Sequence, residues 1–321
     1  MHIRRITREE VHNLKRRKRI YQCVTMGVTL MVCALLIMII VWYRNTSDKV
    51  SVMQGKEITV GTAAELGNSA YYVESYDTIA QNAENAAVDE MEFIVPETGL
   101  KAVEDIQGDN WADESSYTKS QEEAVPLSYF SRSVFIGDSR TEALLLYSGL
   151  PNISGFCYKG LSVDKLETDQ VITVPGEEGE YTCYEAIDMT NYDNYYLMFG
   201  MNELGWIYIE PFIDNFDKLI DYIKQHNPEA TIYVESILPV SEEESGTSDI
   251  YTQGRIDEFN QALKEMCMER GDVIFLDLAA AVSGEDGYLP ADASVDGIHC
   301  NADYCKRLIQ YIRCNTYTKT K

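Results

Sequence analysis

Short apolar runs alternate with amphipathic stretches from residue 128 to residue 317. The apolar runs predict β-strands at 134–136, 153–158, 195–199, 231–238 and 273–276. Apolar residues at helical spacing predict α-helices at 141–147, 212–223, 256–268 and 302–312. Strands that alternate with helices form a parallel sheet covered by helices on both faces. We therefore expect a three-layer α/β/α domain over residues 128–317.

Three further segments have patterns of their own. Two apolar segments, 171–174 and 181–184, flank a Pro-Gly-Glu-Glu-Gly sequence and predict a β-hairpin. Residues 44–127 are rich in acidic and small polar residues and have few apolar runs. Such a composition favours an extended, solvated chain, so we predict an acidic spacer there. Residues 318–321 are predicted to be a short C-terminal tail.

The stretch 20–43 contains no charged residue. A helix of that length measures about 36 Å, which is enough to cross the hydrocarbon core of a membrane. A Lys-Arg-Arg-Lys-Arg run at 15–19 precedes it, and basic flanks remain cytoplasmic. We therefore expect a cytoplasmic tail at 1–19, a single transmembrane helix at 20–43, and an extracellular remainder of the chain. A cleaved signal peptide is the alternative, but the apolar run is long for one and no small-residue cleavage site follows it.

The charge of the chain is distributed unevenly. The whole sequence carries 27 basic and 52 acidic residues, for a net charge of −25. Residues 1–19 contain eight Lys or Arg and two Glu, so residues 44–321 carry 19 basic and 50 acidic residues, a net charge of −31. A body this acidic repels phosphates, which argues against a nucleic-acid partner and against binding to anionic lipid.

Four polar segments stand out at the ends of predicted elements. Three follow predicted strands, and the fourth comes just before the last predicted helix. They are Gly137-Asp138-Ser139-Arg140, Lys159-Gly160-Leu161-Ser162, Gly200-Met201-Asn202-Glu203 and Asp296-Gly297-Ile298-His299. Ligands of open parallel sheets bind at the carboxyl ends of the strands. The four segments together can supply a nucleophile, oxyanion donors and an acid–base pair.

The histidines narrow the choice of a general base. His2 and His12 precede the apolar stretch, and His226 lies at a predicted helix end, which leaves His299. A serine hydroxyl needs an adjacent base to act as a nucleophile. We predict that His299 activates Ser139 and that Asp296 orients the imidazole. The backbone N–H groups of Ser139 and Gly160 and the side-chain amide of Asn202 are the predicted oxyanion donors.

The sequence gives little evidence for disulfides or for a metal site. Six cysteines follow residue 43, no Cys-x-x-Cys motif occurs, and we expect buried free thiols. The sequence leaves undecided whether one disulfide forms near the C-terminus, where Cys300, Cys305 and Cys314 cluster. With one histidine near the predicted site, we expect neither a metal nor a cofactor.

The four segments, in this order, resemble the SGNH/GDSL hydrolase superfamily over about residues 129–316. The resemblance implies a flavodoxin-like sheet and the hydrolysis or transfer of an ester-linked acyl group without a metal. Two positions depart from the usual pattern: Arg140 replaces the leucine of the family name, and Glu203 replaces an aspartate found in many members. We expect Arg140 to pair with a nearby acid, with a place at the mouth of the site as the alternative.

Membrane attachment and outward orientation are typical of enzymes that act on envelope glycans. We therefore expect an esterase that removes acyl groups, such as acetyl, from cell-envelope or extracellular carbohydrate. The predicted partners are an acylated carbohydrate or another small ester and, through the N-terminal helix, the membrane. An O-acyltransferase, a lipase or lysophospholipase, and a non-catalytic glycan-binding scaffold are the alternatives.

Overall fold

Five parallel strands form the central sheet of the structure, a computed structural model that describes residues 88–89, 93–120, 124–151 and 153–320. The strands are β2 (Ser133–Gly137), β3 (Ser154–Cys157), β4 (Asn194–Met198), β5 (Thr231–Glu235) and β6 (Ile274–Leu276). Their spatial order is β3-β2-β4-β5-β6, and β2 pairs with both β3 and β4. All residues of β2, β4 and β5 are buried, as expected for central strands covered on both faces.

Helices cover the two faces of this sheet. In the described part of the chain they are α1 (Ser139–Tyr147), α2 (Cys183–Met189), α3 (Glu210–His226), α4 (Glu242–Thr247), α5 (Gln253–Arg270), α6 (Ala279–Val282) and α7 (Ala302–Cys314). The apolar sides of α2, α3 and α5 pack in one core cluster, and those of α1, α6 and α7 pack in the other. Alternate residues of each strand enter these two clusters. The predicted α/β fold with a parallel sheet is confirmed.

Two predicted elements have different limits in the structure. The hairpin expected over 171–184 is reduced to one antiparallel bridge between Ile172 and Tyr181. The chain then enters α2, because Thr182 and Glu185 form a reciprocal capping box at its N-terminus. Strand β5 ends at Glu235, three residues before the predicted end, and the buried segment 236–240 continues as a loop.

Part of the predicted spacer packs on the domain. Trp111 exchanges two backbone hydrogen bonds with Phe275 of β6, at 2.9 and 2.8 Å. Strand β1 (Tyr117–Lys119) pairs antiparallel with β7 (Tyr317–Lys319), and the Tyr117 side chain is buried. Composition leaves open whether residues 44–127 pack on the domain, and these contacts show that residues 111 and 117–119 of that segment and residues 318–319 of the predicted tail do so. Isolated aromatic residues, which produce no periodic pattern, make these contacts.

The two segments predicted for the N-terminal region cannot be compared with the structure. The cytoplasmic tail expected at 1–19 and the membrane span expected at 20–43 lie outside the described residues. Within the described ranges, no helix combines the length and apolar character needed to cross a membrane. The six cysteines of these ranges are free thiols, so Cys300, Cys305 and Cys314 form no disulfide with one another.

Candidate active site

Ser139 is the first residue of α1 and follows β2 after a single intervening residue. That residue, Asp138, caps the helix: its Oδ1 accepts the backbone N–H of Arg140 at 2.8 Å. A side chain at Gly137 would come within 2.1 Å of the Thr141 hydroxyl, so only glycine allows the strand and helix to approach this closely. The tight connection places the Ser139 hydroxyl at the carboxyl edge of the sheet.

The structure brings Ser139, His299 and Asp296 together. The Ser139 Oγ lies 2.8 Å from His299 Nε2, and His299 Nδ1 lies 2.7 Å from Asp296 Oδ2. A carboxylate accepts the Nδ1 proton, which leaves Nε2 free to accept the serine proton. The arrangement has the geometry of a nucleophile, its base and the group that orients the base.

Asp296 is held in place by the loop that carries His299. Its Oδ1 accepts the backbone N–H groups of Ile298 and His299 at 2.9 and 2.8 Å and the Ser294 hydroxyl at 3.0 Å. Partial burial works against the charged form, yet the hydrogen bonds from His299, Ile298 and Ser294 hold the pKa of Asp296 well below its usual range. Asp296 therefore remains a carboxylate able to stabilise an imidazolium.

Two predicted oxyanion residues lie on adjacent loops. Gly160 belongs to a tight turn in which Leu161 N–H donates to the Tyr158 carbonyl at 3.0 Å, and its φ of +79° favours glycine. Among the described residues no atom lies within 4 Å of a side chain added at Gly160, so backbone conformation rather than space requires the glycine. The Asn202 amide donates to the Leu161 carbonyl at 2.9 Å and, at 3.4 Å, to Asp138 Oδ2. Asn202 thus lies between the Gly160 turn and the residue that precedes Ser139.

Glu203 has a structural role that the sequence analysis missed. It is completely buried, and its two oxygens accept the backbone N–H groups of Val163 at 2.6 Å and Gly200 at 2.9 Å. Burial raises its pKa to about 7 although these hydrogen bonds favour the charged form. The only sign of this role in the sequence is that Glu203 directly follows Asn202. Spacing along the sequence does not reveal which backbone N–H groups the carboxylate binds.

Arg140 occupies neither of its predicted positions. It is 3% exposed, so it does not line the mouth of the site, and within the described ranges it forms no salt bridge. Its Nη1 donates to the Leu238 carbonyl at 2.5 Å, and its Nη2 donates to the Pro239 carbonyl at 3.4 Å. Burial lowers the pKa of the guanidinium, while the nearby Asp138 carboxylate acts in the opposite direction.

The edge of the sheet that carries Ser139, Asp296 and His299 is open to solvent. The side chains of His299 and Asp296 are 38% and 55% exposed. Loops at the same edge carry exposed large apolar residues, which we call the rim: Tyr158, Ile207, Tyr208, Ile250 and Val295. In the part of the chain that the structure describes, no group of three or more His, Cys, Asp or Glu side chains is arranged to hold a metal ion.

Several solved structures are similar to this chain over part of its length. A Streptococcus pneumoniae protein, provisionally described as a platelet activating factor, is 22% identical, with a TM-score of 0.46 over 56% of this chain and 81% of that one. A GDSL-like lipase from Bacteroides thetaiotaomicron is 14% identical, with a TM-score of 0.43 over 60% and 89%. A carbohydrate acetylesterase family member from Sinorhizobium meliloti is 12% identical, with a TM-score of 0.39 over 57% and 95%. No curated protein matches the chain.

The family comparison covers more than half of the sequence. The sequence profile of the GDSL-like lipase/acylhydrolase family matches residues 135–304. This range begins within β2 and ends within α7, so it contains all four predicted motif segments. The chain therefore belongs to the GDSL-like lipase/acylhydrolase family of ester-hydrolysing enzymes.

Proposed function

We propose that this protein is a serine esterase that removes ester-linked acyl groups, with O-acetyl groups on cell-envelope or extracellular carbohydrate as its substrate class. The continuous hydrogen-bonded series from Ser139 through His299 to Asp296 carries the proposal. The proposed roles are Ser139 as nucleophile, His299 as general base and then acid, and Asp296 as the orienting carboxylate.

The reaction proceeds in two balanced halves. Ser139 Oγ attacks the ester carbonyl carbon while its proton passes to His299 Nε2, and the backbone N–H groups of Ser139 and Gly160 and the Asn202 amide stabilise the resulting oxyanion. Collapse of the tetrahedral intermediate breaks the ester C–O bond, and the imidazolium gives its proton to the departing alkoxide oxygen, which leaves as the alcohol. Water then attacks the acyl carbon of the acyl-serine and gives a proton to His299 Nε2. Collapse of this second tetrahedral intermediate breaks the bond between the acyl carbon and Ser139 Oγ, and the imidazolium returns the proton to Oγ, which releases the carboxylic acid and restores the free serine.

The open edge supports a substrate that is larger than its acyl group. An exposed imidazole and carboxylate leave room for a bulky alcohol portion, and the rim offers apolar and aromatic contacts outside the reacting centre. The net charge of −31 over residues 44–321 disfavours an anionic lipid surface, which makes a lipase or lysophospholipase the weaker alternative. Anchoring through residues 20–43 would hold the enzyme at the outer face of the membrane, beside envelope glycans.

An O-acyltransferase is the second candidate. The same acyl-serine can pass its acyl group to an acceptor hydroxyl in place of water, and an open edge admits such an acceptor. Both reactions share the first half and the same three residues. Only the fate of the acyl group separates them.

Acetate release tests the proposal. The full-length protein in detergent is assayed with p-nitrophenyl acetate beside Ser139→Ala, and then with acetylated xylan, peptidoglycan and chitooligosaccharide, with and without an acceptor sugar. We expect Ser139→Ala to be inactive and free acetate to be released from at least one polymer. Acetylated acceptor as the main product would identify the transferase, whereas equal rates for both proteins would identify a non-catalytic scaffold. Activity is expected to persist in EDTA.

A further inference from the structure

Arg140 connects the nucleophile to a distant loop. It is the neighbour of Ser139 in α1, and its guanidinium donates to the carbonyls of Leu238 and Pro239, almost one hundred residues away. Both carbonyls belong to the buried loop that follows β5. The contact therefore fixes the beginning of α1 against that loop.

The same loop holds the segment that carries the acid–base pair. The Ser241 backbone N–H donates to the Gly297 carbonyl at 2.9 Å, and Gly297 lies between Asp296 and His299 in the sequence. A side chain at Gly297 would come within 2.5 Å of the Ser241 hydroxyl, so the two segments are in close contact. A short path thus runs from Ser139 through Arg140, the 238–241 loop and Gly297 to His299.

Packing alone does not explain an arginine at this position. Its Nε is buried and has no hydrogen-bond partner among the described residues, and burying a guanidinium carries a desolvation penalty. A leucine, which the family name has here, would avoid that penalty but would leave the two carbonyls without this donor. The hydrogen bonds from Arg140 to these two carbonyls therefore serve a purpose other than filling the core.

We propose that Arg140 is a positioning residue that sets the distance between the Ser139 hydroxyl and the His299 imidazole by tying α1 to the 238–241 loop. The proposal rests on the proposed esterase function of the same site. Arg140 touches no substrate atom, so the loss of its side chain should lower kcat and leave KM nearly unchanged. A misplacement of about 1 Å at a reacting centre can reduce the rate about 100-fold.

The chain provides a matched control in Arg307. This second buried arginine also donates to two backbone carbonyls, those of Ala281 and Lys101, both at 2.5 Å, but it lies on α7, and among the described residues it has no hydrogen bond to the 238–241 loop or to the Asp296–His299 segment. The full-length variants Arg140→Leu, Arg140→Lys, Arg307→Leu and Ser139→Ala are assayed with p-nitrophenyl acetate. The folded fraction of each is measured by circular dichroism, and kcat is expressed per folded molecule.

We expect Arg140→Leu to have a kcat about 100-fold below that of wild type and a KM within threefold of it. Arg140→Lys should have a kcat about tenfold higher than Arg140→Leu, because an ammonium group can reach one of the two carbonyls. Arg307→Leu should be destabilised yet keep wild-type kcat per folded molecule. If Arg140→Leu does not fold, Arg140→Lys decides, with about a tenfold lower kcat expected. Wild-type kcat in the folded Arg140 variants, or an equal loss in Arg307→Leu, overturns the positioning role. An active Ser139→Ala would instead overturn the proposed function.

Discussion

The Glu203 carboxylate accepts the backbone N–H of Val163 at 2.6 Å and so joins the two loops that carry the predicted oxyanion donors. Its second oxygen accepts the N–H of Gly200, at the start of the loop that carries Asn202. Val163 lies three residues after Gly160 in the sequence. Glu203 thus adds a buried link between the Gly160 and Asn202 loops to the direct hydrogen bond from the Asn202 amide to the Leu161 carbonyl.

Replacing Glu203 by glutamine should disturb this arrangement. The amide presents an N–H group to one of the two backbone N–H donors, and a buried donor without an acceptor costs about 1–3 kcal/mol. We expect a lower free energy of unfolding in urea and a reduced kcat for p-nitrophenyl acetate. Glu185→Gln is the control, because Glu185 also accepts a backbone N–H, in an exposed capping box that tolerates glutamine. Equal stability of the two variants would contradict the role given to Glu203.

The Asn202 amide is predicted to stabilise the oxyanion, and removing it should mainly affect the chemical step. Asn202→Ala should lower kcat about 100- to 1000-fold, as expected for the loss of one oxyanion donor. Steady-state kinetics with p-nitrophenyl acetate measures the effect. Asn227→Ala serves as the control, since the Asn227 amide also donates to a backbone carbonyl, that of Tyr192, at the end of α3. A kcat for Asn202→Ala within threefold of wild type would exclude Asn202 from the oxyanion site.

The rim is expected to matter for polymers and not for small esters. Ile207 and Tyr208 are 84% and 68% exposed, while Arg255 holds the backbone of their loop through the carbonyls of Leu204 and Trp206. A double Ile207→Ala, Tyr208→Ala variant should lose about tenfold in kcat/KM on the acetylated polymer that the enzyme accepts. Its rate on p-nitrophenyl acetate should not change, because we expect a small ester to contact Ser139 and the oxyanion donors and not Ile207 or Tyr208.

Met268→Ala controls for the loss of an exposed apolar side chain on the body of the domain, since Met268 is 50% exposed and lies on α5. It should leave both activities unchanged. A rim variant with an equal loss on the small ester would mean that these residues support the catalytic loops, and unchanged rates on both substrates would mean that the polymer does not contact them.

The elements with strong local patterns were predictable from the sequence. The five buried strands are short apolar runs, and Ser139, Gly160, Asn202 and His299 follow or adjoin the ends of elements that such patterns identify. Ser139, Gly160 and Asn202 share one edge because the carboxyl ends of parallel strands lie together, whereas His299 reaches that edge from the loop before α7. The catalytic roles of Ser139 and Asn202 are predictions that the variants above test.

Contacts between distant segments were not predictable in this way. The partners of Glu203 and Arg140 are backbone groups 40 and 98 residues away, and a backbone carbonyl has no signature in the sequence. The packing of Trp111 on β6 and the pairing of β1 with β7 depend on single aromatic residues in an otherwise acidic segment. Composition described that segment correctly as acidic but gave no sign of where its few apolar side chains are buried.

Glu235, the last residue of β5, is a buried carboxyl group outside the catalytic machinery. Its side chain is fully buried, and neither oxygen has a hydrogen-bond partner among the described residues. Burial raises its pKa to about 8. The group is therefore mostly protonated in the folded protein at neutral pH, whereas in the unfolded chain a glutamate loses its proton at about pH 4.3.

This difference predicts how the stability of the protein changes with pH. Between about pH 4.3 and pH 8 the folded state binds one more proton at Glu235 than the unfolded state, so the contribution of Glu235 to the free energy of unfolding falls as pH rises, by up to about 1.4 kcal/mol per pH unit. Glu235→Gln cannot ionise and should lose this slope, and its stability relative to wild type should increase from pH 5 to pH 8. Urea denaturation at several pH values measures the difference, and groups common to both proteins cancel. The exposed Glu177→Gln should show no such trend, and a pH-independent difference for Glu235→Gln would mean that Glu235 is ionised in the folded protein.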